Sequence, residues 1–334
     1  MSATIVSDKN LHFPVLLNEV LSIISPQNGG TFIDCTFGNG GYTKKILEFP
    51  KTKVIAFDRD SESTNFAIKF KKKFKNRFEF HNIKFSEIDK INLPKKIDGI
   101  IFDLGFSYSQ IKDKYKGLSF NHTGRLNMKM GYNKVSAHDI INKLQEKDLE
   151  LIFKYFGDEK NAKLIARKII QERNIKNIDT EKLVKLINAS KKNFTKKNKA
   201  TKVFQALRIL VNNEISELIL ALSKSCNLVS DKGVIVIVTF HSIEDKICKF
   251  FFNTISTQKP VSRYMPINKN EELVFKLINK KVIVPTNREI EINPQSRSAK
   301  LRAVKRNSTK KIKTKFLHNK FRNLLEIEKL SLKL

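Results

Sequence analysis

The run Thr31-Phe32-Ile33-Asp34-Cys35-Thr36-Phe37-Gly38-Asn39-Gly40-Gly41 has the residue types that bring a backbone close to a nucleotide-like ligand. A short apolar stretch ends in an acid and breaks into a glycine turn, and a helical pattern follows with Ile46 and Leu47 as its apolar residues. Glycine suits such a turn because a Cβ would block the approach and because the turn often needs a positive φ. The spacing is neither the G-x-G-x-x-G of a dinucleotide site nor a Walker loop, since no Lys-Ser/Thr follows it. A second apolar run, Val54 to Phe57, ends in Asp58, placed as the acid that accepts hydrogen bonds from ribose hydroxyls. Together they read as a site for an adenosyl group rather than a triphosphate. A third unit, Ile97 to Gly105, repeats the design and sets Asp103 beside Asp34 and Asp58 along one edge of a parallel sheet. Such acids can also simply cap the helices that follow. The ligand reading is favoured because three occur together with the glycine turn.

Two further places could carry chemistry. Asp103-Leu104-Gly105-Phe106-Ser107 leaves the fourth strand where an acid could accept a hydrogen bond from an exocyclic amine. Thr239-Phe240-His241-Ser242-Ile243-Glu244-Asp245 leaves the fifth and would set His241 on the same sheet edge. His241 there is as easily a structural hydrogen-bonder as a catalyst, and Ser242 with the acids after it could be a helix cap. No Ser-His-Asp arrangement, H-E-x-x-H or Cys-x-x-Cys occurs, so hydrolase and metal readings are weak and no metal is expected.

The elements that must position these residues form an α/β alternation. A short helix is expected within Leu11–Ile24. Strands are expected at Thr31–Cys35, Val54–Asp58, Phe78–Asn82 and Gly99–Asp103, with helical patterns between them, the signature of a doubly wound parallel sheet. From about Ser107 to Leu222 the periodicity is helical, with helices expected at Ser136–Asn142, Gln145–Phe156, Asn161–Asn174, Asp179–Ala189 and Ala200–Leu222. Gly233–Phe240 is then apolar enough for the centre of a sheet covered on both faces. The helical block therefore interrupts one α/β domain. The expected division is a core of residues 1–106 and 223–306, an inserted helical domain at 107–222, and a basic tail at 307–334 that reads as a mobile arm.

Of 334 residues, 64 are Lys or Arg and 33 Asp or Glu, a net charge of +31. That excess points to a polyanion, most simply nucleic acid, although a lysine-rich compositional bias would also spread Lys over solvated faces. Lys191 to Lys202 holds six lysines and no acid, a candidate phosphate-binding stretch. Cys35, Cys226 and Cys248 are unclustered, which suits a reducing compartment and argues against a disulfide framework. No apolar run approaches the ~18 residues of a membrane span and no signal-peptide core is seen, so a cytoplasmic protein without a membrane partner is expected.

Read together, these residues resemble the bacterial small-subunit ribosomal RNA (cytosine-N4)-methyltransferases, the MraW family. The matching pieces run in the family's order from about residue 11 to 306: His12–Leu17, the Asp34–Gly41 turn, Phe57–Asp60, Asp98–Gln110, Lys116–Phe120, Leu126–Met130, Phe240–Asp245 and Asn293–Arg302. The resemblance implies a Rossmann-like class I methyltransferase sheet with an inserted helical domain. It implies S-adenosylmethionine as donor, and as acceptor a cytidine N4 in the decoding region of 16S rRNA within the small ribosomal subunit; it also allows a homodimer. Carried over by position, the donor site is Gly40, Gly41, Tyr42, Asp58, Phe85, Asp103 and Gln110, with Asp58 on the ribose and Phe85 near the adenine. Asp103 is the first choice for positioning the reacting nitrogen, with His241 and Ser107 behind it. The family usually has His where Tyr42 stands, Ser-Ser-Pro-Gln at 107–110, Arg at Lys116, and acids at Asn127 and Gly131. A DNA amino-methyltransferase would normally carry Pro-Pro-Tyr/Phe after the fourth-strand acid, where Leu104-Gly105-Phe106 stands. A non-catalytic ribosome-assembly factor on a methyltransferase fold is the reading that Asn127 and Gly131 would favour.

Overall fold

The computed structural model describes residues 14–106, 110, 111, 113, 115–120, 124–191, 198–257 and 273–334. Seven strands form one sheet in the order β3-β2-β1-β4-β5-β7-β6. They are β1 (Gly30–Asp34), β2 (Thr52–Phe57), β3 (Phe78–His81), β4 (Gly99–Asp103), β5 (Val234–Thr239), β6 (Phe275–Leu277) and β7 (Lys300–Arg306). The first five are mutually parallel; β7 runs antiparallel to β5, and β6 antiparallel to β7. Successive side chains of a strand point to opposite faces. Phe32, Val54, Ala56, Ile101, Val234 and Val236 accordingly join one core, while Ile33, Ile55, Phe57, Ile100, Phe102 and Ile235 join the other.

Helices α1 (Leu17–Ile24), α2 (Gly41–Leu47) and α3 (Ser63–Phe74) serve the first of these cores. The second is continuous with helices from between β4 and β5: α4 (Ala137–Lys143), α5 (Glu146–Gly157), α6 (Ala162–Arg173), α7 (Thr180–Ala189), α8 (Thr201–Asn212) and α9 (Glu214–Leu228). Local chemistry starts two of them: Ser136 and Asp139 form a capping box on α4, and Asp179 accepts the Lys182 N–H at α7. The single helix expected over Ala200–Leu222 is two. Asn213 adopts a left-handed conformation (φ 51°), a break that Asn tolerates better than most residues. Beyond the break, α9 lies against the turn at Phe85–Lys90, where Lys224 Nζ donates to Ser86 O and Asp89 Oδ1 (2.5 and 2.6 Å). The helix returning the chain to the sheet thus starts at Glu214, before the expected boundary at 222.

Strands β6 and β7 carry no simple apolar alternation and escape a periodicity reading. Two arginines of β7 are held by tertiary partners: Arg302 pairs with Asp245 (2.7 Å), and buried Arg306 donates to Cys226 O and Val229 O (both 2.8 Å). After α10 (Ser242–Ser256) and α11 (Asn287–Ile292), the tail folds into α12 (Lys315–Lys320) and α13 (Arg322–Glu328). It is not a mobile arm. Leu317, Phe321 and Leu325 are buried, Phe321 meets Phe250 edge-on at 5.6 Å, and Lys333 pairs with Asp148 at 2.8 Å. Its basic residues lie on the outer side of this helix pair, whose buried apolar positions 317, 321 and 325 recur every four residues. No described helix is long and apolar enough to cross a membrane.

The tail also ends a helix that lacks its own cap. Asn213 gives α9 no side-chain cap, and buried Glu328 accepts instead from Ile215 N and Ser216 N, both at 2.9 Å. Glu328→Ala should cost about 1–3 kcal/mol, because it leaves two N–H groups without acceptors in a site closed to water. Urea denaturation reads this as a lower midpoint; an arm free in solution would leave the midpoint unchanged.

Candidate functional site

The strand order turns back between β1 and β4, and a cavity of ≈ 630 Å³ opens there at the C-terminal ends of the strands. Gly40, Gly41, Tyr42, Asp58, Phe85, Asp103 and Gln110, the whole set expected for the donor, all line it. Each is held by something nearby. Gly40 sits at φ 80° with Phe70 and Phe37 so close that a Cβ would overlap their rings. The Tyr42 ring is buried and its hydroxyl donates to Val15 O, so only its backbone is left for a ligand. Asp58 Oδ2 accepts from Gly38 N (2.6 Å) and Oδ1 from Asp60 N (2.8 Å), locking the acid to the glycine turn. Gln110 Nε2 donates to Asp60 Oδ2 at 2.6 Å, and Phe85 meets Phe102 edge-on at 5.7 Å.

The three strand-end acids differ in what they do. Asp34 is buried and spent on structure, accepting from Thr36 N (3.1 Å) and Thr43 Oγ1 (2.7 Å), and it does not line the cavity. Burial lifts its carboxyl to about 6. Asp103 lines the cavity, and its Oδ1 is shielded from water and has no hydrogen-bond partner among the described residues. Burial, followed by the charges of Asp34 and Glu244, pushes its carboxyl well above the usual range. Such a group is costly unless a ligand completes it.

A second cavity, ≈ 320 Å³, adjoins the first and shares Leu104, Gly105, Phe106, Phe240 and Gln295 with it. Its walls include Phe120 and Phe204, which meet edge-on at 5.7 Å. His241 lines this cavity rather than the first. Its Nε2 lies 3.0 Å from Glu244 Oε1 and 3.7 Å from Glu214 Oε2, and Arg208 clasps Glu214 through two bonds of 2.7 and 2.8 Å. Burial opposes charge on the ring, but Glu244 and Glu214 outweigh it and raise the pKa to about 9. The Glu244 N–H reaches Nδ1 at 3.4 Å, which asks for a bare nitrogen. The ion pair on Nε2 is shorter and charged, so we take the ring as a cation. Glu214, His241 and Glu244 also bring ligand-type atoms within 4.8 Å of one another. Both Glu214 oxygens are already taken by the Arg208 fork, and Glu244 Oε2 accepts from Phe240 N (2.9 Å), so the cluster reads as an ion-pair network.

The sequence pattern of the MraW methylase family matches residues 9–307. The chain belongs to the MraW methylase family. "Ribosomal RNA small subunit methyltransferase H" of Ehrlichia ruminantium (strain Welgevonden) is 40% identical over 302 residues, spanning 88% of this chain and 98% of that protein. The protein of that name from Rickettsia bellii (strain OSU 85-389) is 41% identical over 304 residues, 88% of this chain and 98% of its own. A solved rRNA methylase from Streptococcus thermophilus aligns over 89% of this chain and 99% of its own, with 10% identity and a TM-score of 0.42.

The departures from the family pattern fall beside the cavities. Met128 and Met130 line them, whereas Asn127 and Gly131 line neither. Gly131 has φ 101°, and a Cβ there would stand 2.5 Å from Arg59 O, so this backbone has no room for the family's acid. Lys116, where the family usually has Arg, forms a 2.6 Å ion pair with buried Asp60. Ser107 lies outside the described residues. Sequence reasoning missed Arg208 and Glu214, which stand on either side of a helix break, and Gln295, inside the Asn293–Arg302 match.

The lysine stretch needs correction. Lys191 pairs with buried Glu159 at 2.5 Å, Lys199 Nζ donates to Lys191 O at 2.6 Å, and Lys202 reaches Asp158 Oδ2 at 3.5 Å. These three brace the fold; Lys192, Lys196 and Lys197 lie outside the described residues.

The raised His241 pKa has a stability consequence. Below the ordinary value of 6.5 the ring is charged in both folded and unfolded chains, and its ion pairs contribute in full; that contribution is lost as pH rises from 6.5 through about 9. The wild-type Tm should therefore fall across that window by more than that of His241→Gln. Parallel Tm curves for the two proteins would show that the ring is neutral in the fold.

Proposed function

We propose that the chain transfers the methyl group of S-adenosylmethionine to N4 of a cytidine in the decoding region of 16S rRNA, within the small ribosomal subunit. The observation that carries this reading is the unpartnered Asp103 Oδ1, on a residue whose neighbours Leu104, Gly105 and Phe106 line both cavities. A donor fits the larger cavity on two grounds: the positive-φ glycine turn at Gly38 and Gly40, and a carboxylate oxygen left without a partner. Asp58 would hold the ribose, Phe85 the adenine, and the Gly40–Tyr42 backbone with Gln110 the remaining polar groups. When bound, S-adenosylmethionine supplies an electrophilic methyl group on a positively charged sulfur.

The work left to the protein is mostly positioning. Cytosine N4 is a weak nucleophile because its lone pair is delocalised into the ring. A base splayed out of the RNA can stack on the phenylalanine walls of the smaller cavity, with its N4–H donating to Asp103 Oδ1. That bond fixes the nitrogen and draws its lone pair out of conjugation. Burial raises the basicity of the same oxygen, so it can take the proton that N4 gives up on methylation. The cationic His241–Arg208 pair, balanced by Glu214 and Glu244, holds the wall of that cavity rigid. No cysteine is needed as a nucleophile, and Cys35, Cys226 and Cys248 are all buried. The helical block between β4 and β5, which supplies Phe120, Phe204 and Arg208, would be the element that recognises RNA, and the substrate implies work in the cytoplasm.

Two substitutions separate donor binding from transfer. Asp58→Asn removes the charged acceptor, and a bond to a charged group is worth about 1.5–3 kcal/mol, so calorimetry should find S-adenosylmethionine affinity lowered roughly ten- to hundred-fold. Unchanged affinity would move the ribose elsewhere. Asp103→Asn should lower N4-methylcytidine formation on small subunits by about 100-fold or more, read by nucleoside mass spectrometry. A normal yield from the folded variant would remove Asp103 from the mechanism.

A further inference from the structure

The segment from Gly124 to Lys134 contributes to both cavities and has an outer side. Leu126, Met128 and Met130 are buried, with Met128 on the smaller cavity and Met130 on the larger. The residues alternating with them turn outward: Arg125 is exposed, and Asn127 and Lys129 partly so. From Gly124 to Lys134 the chain carries three cations, Arg125, Lys129 and Lys134, and no acid. Two tyrosines stand on this segment and the loop bonded to it: Tyr132 lies within it, and Tyr115 O lies 3.5 Å from Asn127 Nδ2. Tyr115 (89% exposed) and Tyr132 (86%) are the most exposed large hydrophobic side chains among the described residues.

Their loops are firmly anchored. Lys116, next to Tyr115, is ion-paired to Asp60, and its carbonyl accepts from Met128 N at 2.7 Å. Asn133, next to Tyr132, accepts from Arg59 Nη2 (2.8 Å) and donates to Asn212 Oδ1 (2.7 Å). Lys129 Nζ donates to Lys134 O at 2.8 Å, which holds the neighbouring cations in place. A hydrogen-bonded backbone thus presents two aromatic rings to water among positive charges, on a segment whose buried Met128 and Met130 line the two cavities. Rings offer stacking faces to bases, and the cations suit phosphates.

We propose that Tyr115 and Tyr132, with Arg125, Lys129 and Lys134, form a platform on which the unpaired nucleotides flanking the target base stack. This rests on the RNA-methylation reading above and adds where the strand runs. The chain has no tryptophan, so Tyr132→Trp preserves a stacking ring and installs a single indole reporter. The probes are a single-stranded oligoribonucleotide of mixed sequence and isolated small ribosomal subunits. Titration of Y132W with the oligonucleotide should quench the indole. The Y115A/Y132A double variant should bind it about ten-fold or more weakly, with donor affinity unchanged. Replacing the three cations with Gln should flatten the slope of log K against log salt by about 2. Unquenched indole, wild-type affinity in the tyrosine variant and an unaltered salt slope would overturn the platform while wild-type methyl transfer to subunits stands. An effect on subunits that is absent with the oligonucleotide would assign the surface to a ribosomal protein and also overturn it. A wild-type protein that neither methylates subunits nor binds either probe would sink the methylation reading, and the platform with it.

Discussion

Strand β5 is buried along its whole length, and a strand apolar on both faces is stable only if both faces are covered. Much of the architecture answers to that requirement. Helices α1 to α3 serve the core on one side. On the other, the helices between β4 and β5 and the C-terminal pair α12 and α13 share a single core with the sheet. The helical block is therefore a layer as well as an insertion, and it cannot move far without uncovering Ile235 and Ile237. That rigidity lets the smaller cavity keep its shape, since its walls come from both the sheet edge and α8.

Electrostatics at the sheet edge runs against the charge of the whole. A protein of net charge +31 gathers Asp34, Asp58 and Asp103 at one sheet edge, with Asp58 and Asp103 on the larger cavity beside Lys44 and Arg59, and Asp34 buried away from it. Burial raises the pKa of all three, which is unfavourable for an empty protein and suits a site completed by a positively charged ligand. Next door the pattern reverses. His241 and Arg208 are cations held by Glu214 and Glu244, and Arg208 lies over the Phe106 ring at 4.9 Å. The two cavities thus differ in character, one acidic at its floor and one aromatic with balanced charge, although they share a wall.

The α9 helix joins distant parts of this arrangement. Its first residue, Glu214, holds Arg208 and faces His241, while its first-turn N–H groups are satisfied by Glu328, over a hundred residues later. Burial raises Glu328 to about 7, against hydrogen bonds that favour the carboxylate. The family match ends at residue 307, so this cap is supplied from beyond it.

What the sequence determined by itself is what depends on near neighbours. Apolar runs ending in acids, the glycine turn and the capping residues are local signals, and they located five strands and the helical block, but not the full set of seven residues that line the larger cavity. The family resemblance named those seven because their motifs are short and contiguous. The remainder depended on partners far apart in the chain. Whether a lysine is a solvated cation or a buried brace cannot be read at Lys191 without Glu159, nor the fate of the tail without Phe250 and the bare end of α9. Asn213 splits a helix that its flanking periodicity would continue. His241 read as easily as a structural hydrogen-bonder as a catalyst, and only the fold brings Glu214 and Arg208 to it, the carboxylates raising its pKa. Periodicity and spacing record which face a residue shows; charge state and pairing are set by what tertiary packing places opposite that face, because burial and Coulomb energy act through space and not along the chain.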